Sequence, residues 1–561
     1  MKGPYDPSVS ATRETHKLIG VVTPVAARER ASLLEALEQV LPVTFHARVP
    51  TELEGLDGLL VLSDEESSVS LGAISPEACP ILRIHHARAG ANSEGHVVKF
   101  TEDPSVARPL RGRLLREEGA GVVCSEQPSD GDAILATVDD VPVWWSSQGG
   151  RVHFSAFAPQ ELGERESLRE HLRPGRFMGL LALLHFLRGI CGESYDEERP
   201  LMAAFVIDDP NVHRTSYGYI DYADLATQAT RHGYHAAFAT VPLDGWVASR
   251  RALRLLRDNP SSISLLMHGN DHTTEELGRL TDEPRAQASL AQALRRVSSF
   301  ESRYGLPVER VMVPPHEVCA QMALGTMFRL GFEAACIGRG HPWINSQSTS
   351  PLSWPLVKWF PTDLVCGGFP IIPRHPLDRP WEDLVFRALL GQPLIMFAHH
   401  EDFAQGLDVL ARAAEYINDL GSVQWASLSS IARQGYTVER QQDKLVIRMY
   451  ARCVRVEVPH DVSSVEVRTP CMSLDELPRS LYCDGVRVSM ASTGMGRDGW
   501  RSDSLRVSPG SALKLVTAPE RTLDPYKVAV DARRPWPLMR RALVEGRDRL
   551  EPLSSRLGLG R

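Results

Sequence analysis

Residues 200–240 read PLMAAFVIDDPNVHRTSYGYIDYADLATQATRHGYHAAFAT. An apolar run ends at two carboxylates and a proline, a helix-period stretch follows and stops at Gly233, and a second apolar run starts at once. Glycine at such a joint supplies the left-handed residue that closes a helix and lets the chain drop into a strand. The same joint recurs at Gly305 (RYG before LPVERVMV), Gly331 (RLG before FEAACIG) and Gly421 (DLG before SVQWASL). Its recurrence points to consecutive βα units between Pro200 and Gly435. The runs LMAAFVI, YHAAFATV, SISLLMH, RVMVPP, EAACIG, GGFPII, PLIMFAHH and VQWASL are apolar in both phases, as strands of a parallel sheet covered by helices are. Seven or eight such strands suit a closed β/α barrel better than a doubly wound sheet, although periodicity alone does not choose.

The flanks read differently. Residues 1–197 alternate short apolar runs (KLIGVV, LDGLLVLS, CPILRIHH) with helix-like stretches such as RERASLLEALEQVL, the order of an open α/β sheet. They continue into strands separated by turn signals at Asp139-Asp140 and Gly149-Gly150 and then into the helical run RFMGLLALLHFLRGI. This domain weakly resembles flavodoxin-like or class I glutamine-amidotransferase-like domains. It has no strand-to-helix elbow carrying a Cys or Ser nucleophile between glycines, so it is read as noncatalytic. Residues 437–530 alternate apolar and polar residues (KLVIRMYARCVRVEVP, SSVEVRTP, RVSMAST), which predicts a β-sandwich. Residues 531–561 carry eight Arg against four acidic residues with Leu and Met between them. Such a basic amphipathic tail packs on its own protein or stays solvated more often than it binds a membrane.

The 561 residues, at about 150 per domain, suit three or four domains, here 1–197, 198–436 and 437–530 with a helical tail at 531–561. Apolar residues make up 43% and charged residues 24%, which excludes a disordered or fibrous chain. With 62 Lys+Arg against 70 Asp+Glu and a net charge of −8, the chain lacks the excess cation of a general polyanion binder, so nucleic acid is not expected as a partner. The first residues have no apolar stretch behind their charges, and no run approaches the roughly 18 apolar residues of a membrane span; a cytoplasmic location is expected. Nine cysteines, never in CxxC, read as reduced thiols.

Polar residues collect where the barrel strands end, the face on which such folds build active sites. The first strand ends in Asp208-Asp209-Pro210-Asn211. The third ends in His268-Gly269-Asn270-Asp271-His272, before a predicted helix TTEELGRL. Two His four apart bring both imidazoles to one side of a turn, where neutral nitrogens can bind a divalent metal. An Asp joined to them makes a mixed oxygen/nitrogen site with positions left for water and substrate. A late run ends in His399-His400-Glu401. Successive strand residues face opposite ways, so one of the two His points into the barrel mouth. His399 is read as a general acid beside a carboxylate and His400 as structural or substrate-lining. Asn211, His213, Tyr217, Trp246, His316, Glu317 and Trp425 follow or end strands. Of these, Asn211, His213, His316 and Glu317 join His400 as candidate substrate-binding residues.

With these motifs, residues 202–430 resemble the polysaccharide deacetylase superfamily, carbohydrate esterase family four, whose fold is a distorted β/α barrel with one divalent metal. The resemblance implies that Asp208 in FVIDD is the general base and Asp209 a metal ligand. It implies that His268 and His272 are the other two ligands, although Gly269 stands where the family has a hydroxyl residue, and that His399 in IMFAH is the catalytic acid. The third motif departs. The family has Arg-x-Pro-x-Gly, whereas this chain reads Arg310-Val-Met-Val-Pro314-Pro315-His316-Glu317. The Arg that would tune the base is therefore missing or supplied from elsewhere. No Asp-x-x-Asp-Trp motif is found.

These features predict a metal-dependent hydrolase cleaving an N-acetyl amide of a sugar or small metabolite. Zn2+ is the default ion, with Co2+, Mn2+, Ni2+ or Fe2+ as alternatives. A C–N hydrolase acting on a non-sugar amide, and an inactive metal-containing binding or scaffold protein, are the other readings. The state of assembly, a homo-oligomer included, is not readable.

Overall fold

A computed structural model describes residues 16–48, 54–63, 79–85, 95–118, 127–163, 166–192, 200–338, 362, 364–366, 369–471, 479–494, 496–530 and 535–556. The reading of the first residues and of Cys124 falls outside them. The chain divides into two compact units, Met1–Glu198 and Arg199–Arg561.

The first unit is built on a nine-stranded sheet. Strands Val43–Arg48, Lys17–Val22, Gly58–Ser63, Ile81–His85 and Val152–Ser155 run parallel in that order, and the sheet is extended by antiparallel strands Val141–Ser147, Ala133–Val138, His96–Phe100 and Leu114–Glu117. Asp139 and Asp140 both adopt left-handed backbone between two of these strands, as a two-residue hairpin requires. The long apolar helix Met178–Cys191 is capped at its start by Glu117, whose carboxylate accepts from the Phe177 and Met178 amides.

The second unit contains a closed ring of seven parallel strands. They are β1 (Leu201–Asp208), β2 (Ala236–Thr240), β3 (Ile263–His268), β4 (Glu309–Val313), β5 (Ala334–Gly338), β6 (Phe369–Pro376) and β7 (Leu394–Ala398), and β7 pairs back onto β1. The eighth run differs from expectation. β8 (Val423–Trp425) is three residues long and pairs with Leu201–Ala203 at the start of β1, outside the ring. Helices α1 (Tyr222–His232), α2 (Arg250–Asp258), α3 (Glu283–Tyr304), α4 (Gln321–Leu330), α5 (Asp383–Leu389) and α6 (Asp408–Asp419) belong to the barrel unit. The interior is filled by alternate residues of the strands, Ala204 and Val206, Ala237 and Ala239, Leu266, Val311 and Val313, Ala334 and Cys336, Ile372, Ile395 and Phe397. Leu428, Ile431 and Ala432 of α7 (Leu428–Arg433) complete this core. Continuing the period of two past that core brings Asp208, His268, Arg374 and His399 to the inward side at the strand ends.

Three of the four joint glycines close their helices in the left-handed conformation: Gly233 (φ 70°), Gly305 (φ 62°) and Gly331 (φ 95°). Gly421 does not. Leu420 ends α6 in right-handed backbone, and a Cβ on Gly421 would stand 3.1 Å from a Leu201 methyl, so that glycine serves close approach instead. The segment after His272 also departs, being turns over Thr274–Arg279 rather than a helix.

After the barrel, two sheets of mainly antiparallel strands (Tyr436–Gln441 to Ala512–Pro519) share one apolar core that includes Ile447, Val454, Val467, Leu481 and Leu515. The last described element, α8 (Pro535–Arg556), returns to the barrel. Among the described residues no helix is long and apolar enough to cross a membrane. The free thiols include the buried Cys79, Cys319, Cys336 and Cys471.

Replacing Gly305 by Ala puts a side chain on left-handed backbone and is expected to lower stability by about 1–2 kcal/mol, whereas Gly421→Ala has no left-handed strain and asks only a small shift of the Leu201 methyl, so it is expected to cost less. Urea unfolding of the two variants checks the difference.

Candidate metal and catalytic site

The mouth of the barrel is organised by Arg374 near the end of β6. Its guanidinium is fully buried and forms a two-pronged pair with Asp208 (Nη1 to Oδ1 2.8 Å, Nη2 to Oδ2 2.9 Å). Its Nε donates to Glu317 (2.9 Å), and the plane lies over the Phe397 ring at 4.0 Å. Burial alone would raise the Asp208 pKa, but Arg374 outweighs it and holds the carboxyl below its usual range. Glu317 also accepts from the Gly338 amide (2.9 Å). A Cβ at residue 338 would lie 2.3 Å from the Glu317 carboxylate, so glycine at the end of β5 makes room for it.

An arginine facing Asp208, which the third motif does not supply, is thus present in the fold, carried by a strand two places further round the ring. Arg310, the Arg nearest that motif, pairs instead with Glu301 (2.6 Å). The sequence signal for Arg374 was a lone charge in the apolar run FPIIPRHP.

Asp209 leaves β1 in left-handed backbone (φ 76°), a conformation Asp tolerates better than most side chains. The turn brings its carboxylate next to His272 (Oδ1 to Nε2 3.5 Å). Ligand atoms of Asp209, His268 and His272 all lie within 4.8 Å of one another. His268 Nδ1 donates to the Val313 carbonyl (2.9 Å). That bond fixes the tautomer and leaves Nε2 with its lone pair, the usual support of a metal-binding imidazole. Burial lowers the pKa of both imidazoles, that of His272 to about 3. Burial would raise Asp209, but His272 and Arg541 together depress it. Two neutral imidazoles and one carboxylate form a donor set that fits a divalent ion.

Gly269 has a local cause. Its φ is 65°, and a Cβ there would stand 1.8 Å from Glu276 Oε1 and 2.7 Å from Pro315. Glu276 accepts from the amides of Asn270 and Asp271 and so closes the His268–His272 loop without a helix.

The remaining candidates separate into two groups. His399 continues the inward series of β7, is half exposed, and reaches to 3.9 Å of Asp208. His316 is exposed, on left-handed backbone, with its ring 5.2 Å from that of His272. Asn211, His213 and His400 are instead covered by α8, an element that sequence reasoning left outside the site. His213 sits between Glu545 (3.0 Å) and the Asp244 carbonyl (2.8 Å). Asn211 Oδ1 accepts from Arg549 (3.2 Å). His400 packs on Tyr217 and Tyr219 and faces Glu401 and Asp548, while Asp548 also accepts from the Tyr217 hydroxyl (2.6 Å). Glu317 is committed to Arg374. Trp246 is largely exposed, with its ring 6.2 Å from that of His213, and Trp425 packs on Phe205 at the opposite end of β1. The α8 residues involved recur at helical spacing, Arg541, Glu545, Asp548 and Arg549, a pattern visible in the sequence once its face is known.

No protein-family model and no curated protein matches the chain. Solved structures it resembles include carbohydrate esterase family four enzymes and polysaccharide deacetylases. A deacetylase solved with substrate is 10% identical, covering 42% of this chain and 94% of its own, at a TM-score of 0.26. A family four acetyl xylan esterase from Clostridium thermocellum, in complex with a cobalt ion, is 13% identical, covering 41% and 89%, at 0.24. A polysaccharide deacetylase from Bacillus cereus is 12% identical, covering 41% and 94%, at 0.22. The chemistry of this chain therefore rests on its own side chains.

Removing one member of the buried Arg374 cluster leaves uncompensated charge, so Arg374→Met is expected to cost roughly 3–5 kcal/mol in urea unfolding. A second expectation concerns pH. Burial would lower the His213 pKa, but Glu545 and the Asp244 carbonyl outweigh it and raise it. Its contribution is complete below the unfolded value of about 6.5 and is lost as pH rises through the folded value. Unfolding between pH 6 and 9 should show the wild-type chain losing stability over that range, and His213→Asn losing less.

Proposed function

We propose that this protein is a metal-dependent deacetylase that hydrolyses an N-acetyl amide on a sugar or small metabolite. The observation that carries the reading is the convergence of Asp209, His268 and His272 beside an ionised Asp208 and within reach of His399. Asp209, His268 and His272 would hold one divalent ion, which when bound supplies Lewis acidity at the acyl oxygen. Zinc is the first expectation for this donor set.

Asp208 takes the proton of the attacking water, and Arg374 keeps that carboxylate ionised and aimed. The pair is buried, so the base is shielded from bulk water, where its charge interactions would be weaker. His399 stands on the exposed side of Asp208 and delivers a proton to the departing nitrogen. His316 lines the same side as His399 and is the candidate contact for the substrate.

A small substrate is favoured by α8. Asn211, His213 and His400 are engaged by this helix, so a long polymer cannot use that side of the mouth while the helix is docked. A non-sugar amide satisfies the same chemistry and remains the second reading.

Purified protein should contain one equivalent of metal, and a chelator should abolish turnover of N-acetyl substrates in a way that added metal reverses. Asp208→Asn is expected to lower kcat by roughly 10²–10⁴-fold while leaving the metal bound. Turnover that a chelator does not touch would sink the proposal, as would metal-loaded protein inactive across N-acetyl sugars and non-sugar amides; the latter outcome points to a binding protein.

A further inference from the structure

We propose that Arg541, supplied by the C-terminal helix α8, is a positioning residue for Asp209, so that docking of the helix and binding of the metal are coupled. The inference rests on the reading of Asp209, His268 and His272 as metal ligands.

Arg541 is almost wholly buried. Its Nη1 donates to Asp209 Oδ1 at 2.9 Å, the same oxygen that lies 3.5 Å from His272 Nε2. Its other nitrogens go to Asp244, Nη2 at 2.6 Å and Nε at 3.2 Å. Among the described residues Arg541 is the only hydrogen-bond donor to the Asp209 side chain. Its neighbour Arg540 donates to the main-chain carbonyl of His272. One turn of one helix thus touches two of the three candidate ligands, from a point 332 residues away in sequence.

Two effects of opposite sign meet at Asp209. A bare guanidinium beside the carboxylate would repel an incoming divalent ion, whereas a guanidinium that only orients the carboxylate would favour the ion. Asp244 decides between them. It accepts three of the four hydrogen bonds of Arg541 and offsets most of its charge locally, so the larger effect on an incoming ion is orientation of the carboxylate. Hydrogen-bond partners that orient metal-binding carboxylates are worth 10–100-fold in metal affinity. Asp209 needs such a partner, because it sits on left-handed backbone past the end of β1, where no strand neighbour fixes its side chain.

The remaining faces of α8 explain why this coupling runs in both directions. Glu545, Asp548 and Arg549 bond to the barrel, while Met539, Leu543 and Leu550 on the other side are exposed. The helix is therefore held by polar contacts at the mouth rather than by apolar burial. Coupling free energies are reciprocal, so an ion that binds better with the helix docked must also hold the helix down.

The test is titration of the metal-free full-length chain with Co2+, read by visible absorbance and by competition with a chelator. Arg541→Gln should weaken cobalt binding 10–100-fold, Arg541→Lys should recover part of the loss, and Asp244→Asn should shift affinity in the same direction. Leu543→Ser, on the exposed side, should bind as the wild-type chain does. Hydrogen exchange on the wild-type chain gives a measurement independent of any variant: residues 535–556 should exchange more slowly with cobalt than without it. Arg541→Gln binding cobalt as tightly as wild type or tighter, or exchange in α8 that metal leaves unchanged or speeds, overturns the inference while the metal site stands. A wild-type chain that binds no cobalt, or binds it equally after Asp209→Asn, overturns the site reading and this inference with it.

Discussion

A fully charged guanidinium is buried at the mouth of the barrel, and the arrangement around it follows from that placement. Arg374 cannot sit there without compensating charge, because an unpaired ion in a protein interior is costly. Asp208 and Glu317 supply the charge from β1 and from the turn after β4. Gly338 is small so that Glu317 can reach, and Phe397 offers its face to the guanidinium. The pair also sets the charge state of Asp208: burial alone would raise its pKa, and Arg374 brings it below the usual carboxylate range.

The second constraint is the left-handed turn at Asp209. Asp208 belongs to the inward series of β1 and is fixed by the barrel wall. Asp209 follows it immediately, yet reaches a different set of partners, because its backbone leaves the strand. Two adjacent carboxylates thereby acquire different environments, one facing arginine and one facing imidazoles. Identical side chains held in unlike environments can differ in protonation and in the partners they take. The C-terminal helix then adds a second arginine on the Asp209 side, so that each carboxylate has its own guanidinium.

Much of this was legible in the chain. Apolar runs after helix-ending glycines indicated the barrel, and three of those glycines close helices as their joints imply. The period of two along LMAAFVIDD, SISLLMH and PLIMFAH is enough to aim Asp208, His268 and His399 inward. Gly421 and β8 were less legible: a glycine required for close approach and one required for left-handed backbone look identical in sequence, and a three-residue strand has no period to detect. The turns in place of a helix after His272 arise from Glu276 capping the Asn270 and Asp271 amides. That interaction depends on a loop closure that helix propensity does not describe.

Local pattern thus determined what is governed by neighbours in sequence: the strands, their inward faces, and the residues standing at their ends. Tertiary structure alone decided which distant charges would neutralise them. Arg374 is 166 residues from Asp208, and Arg541 is 332 from Asp209. A buried charge needs a partner of opposite sign at hydrogen-bond distance, but nothing in that need says where along the chain the partner must be. The closed ring brings the first arginine across the barrel, and the return of the C-terminal helix brings the second.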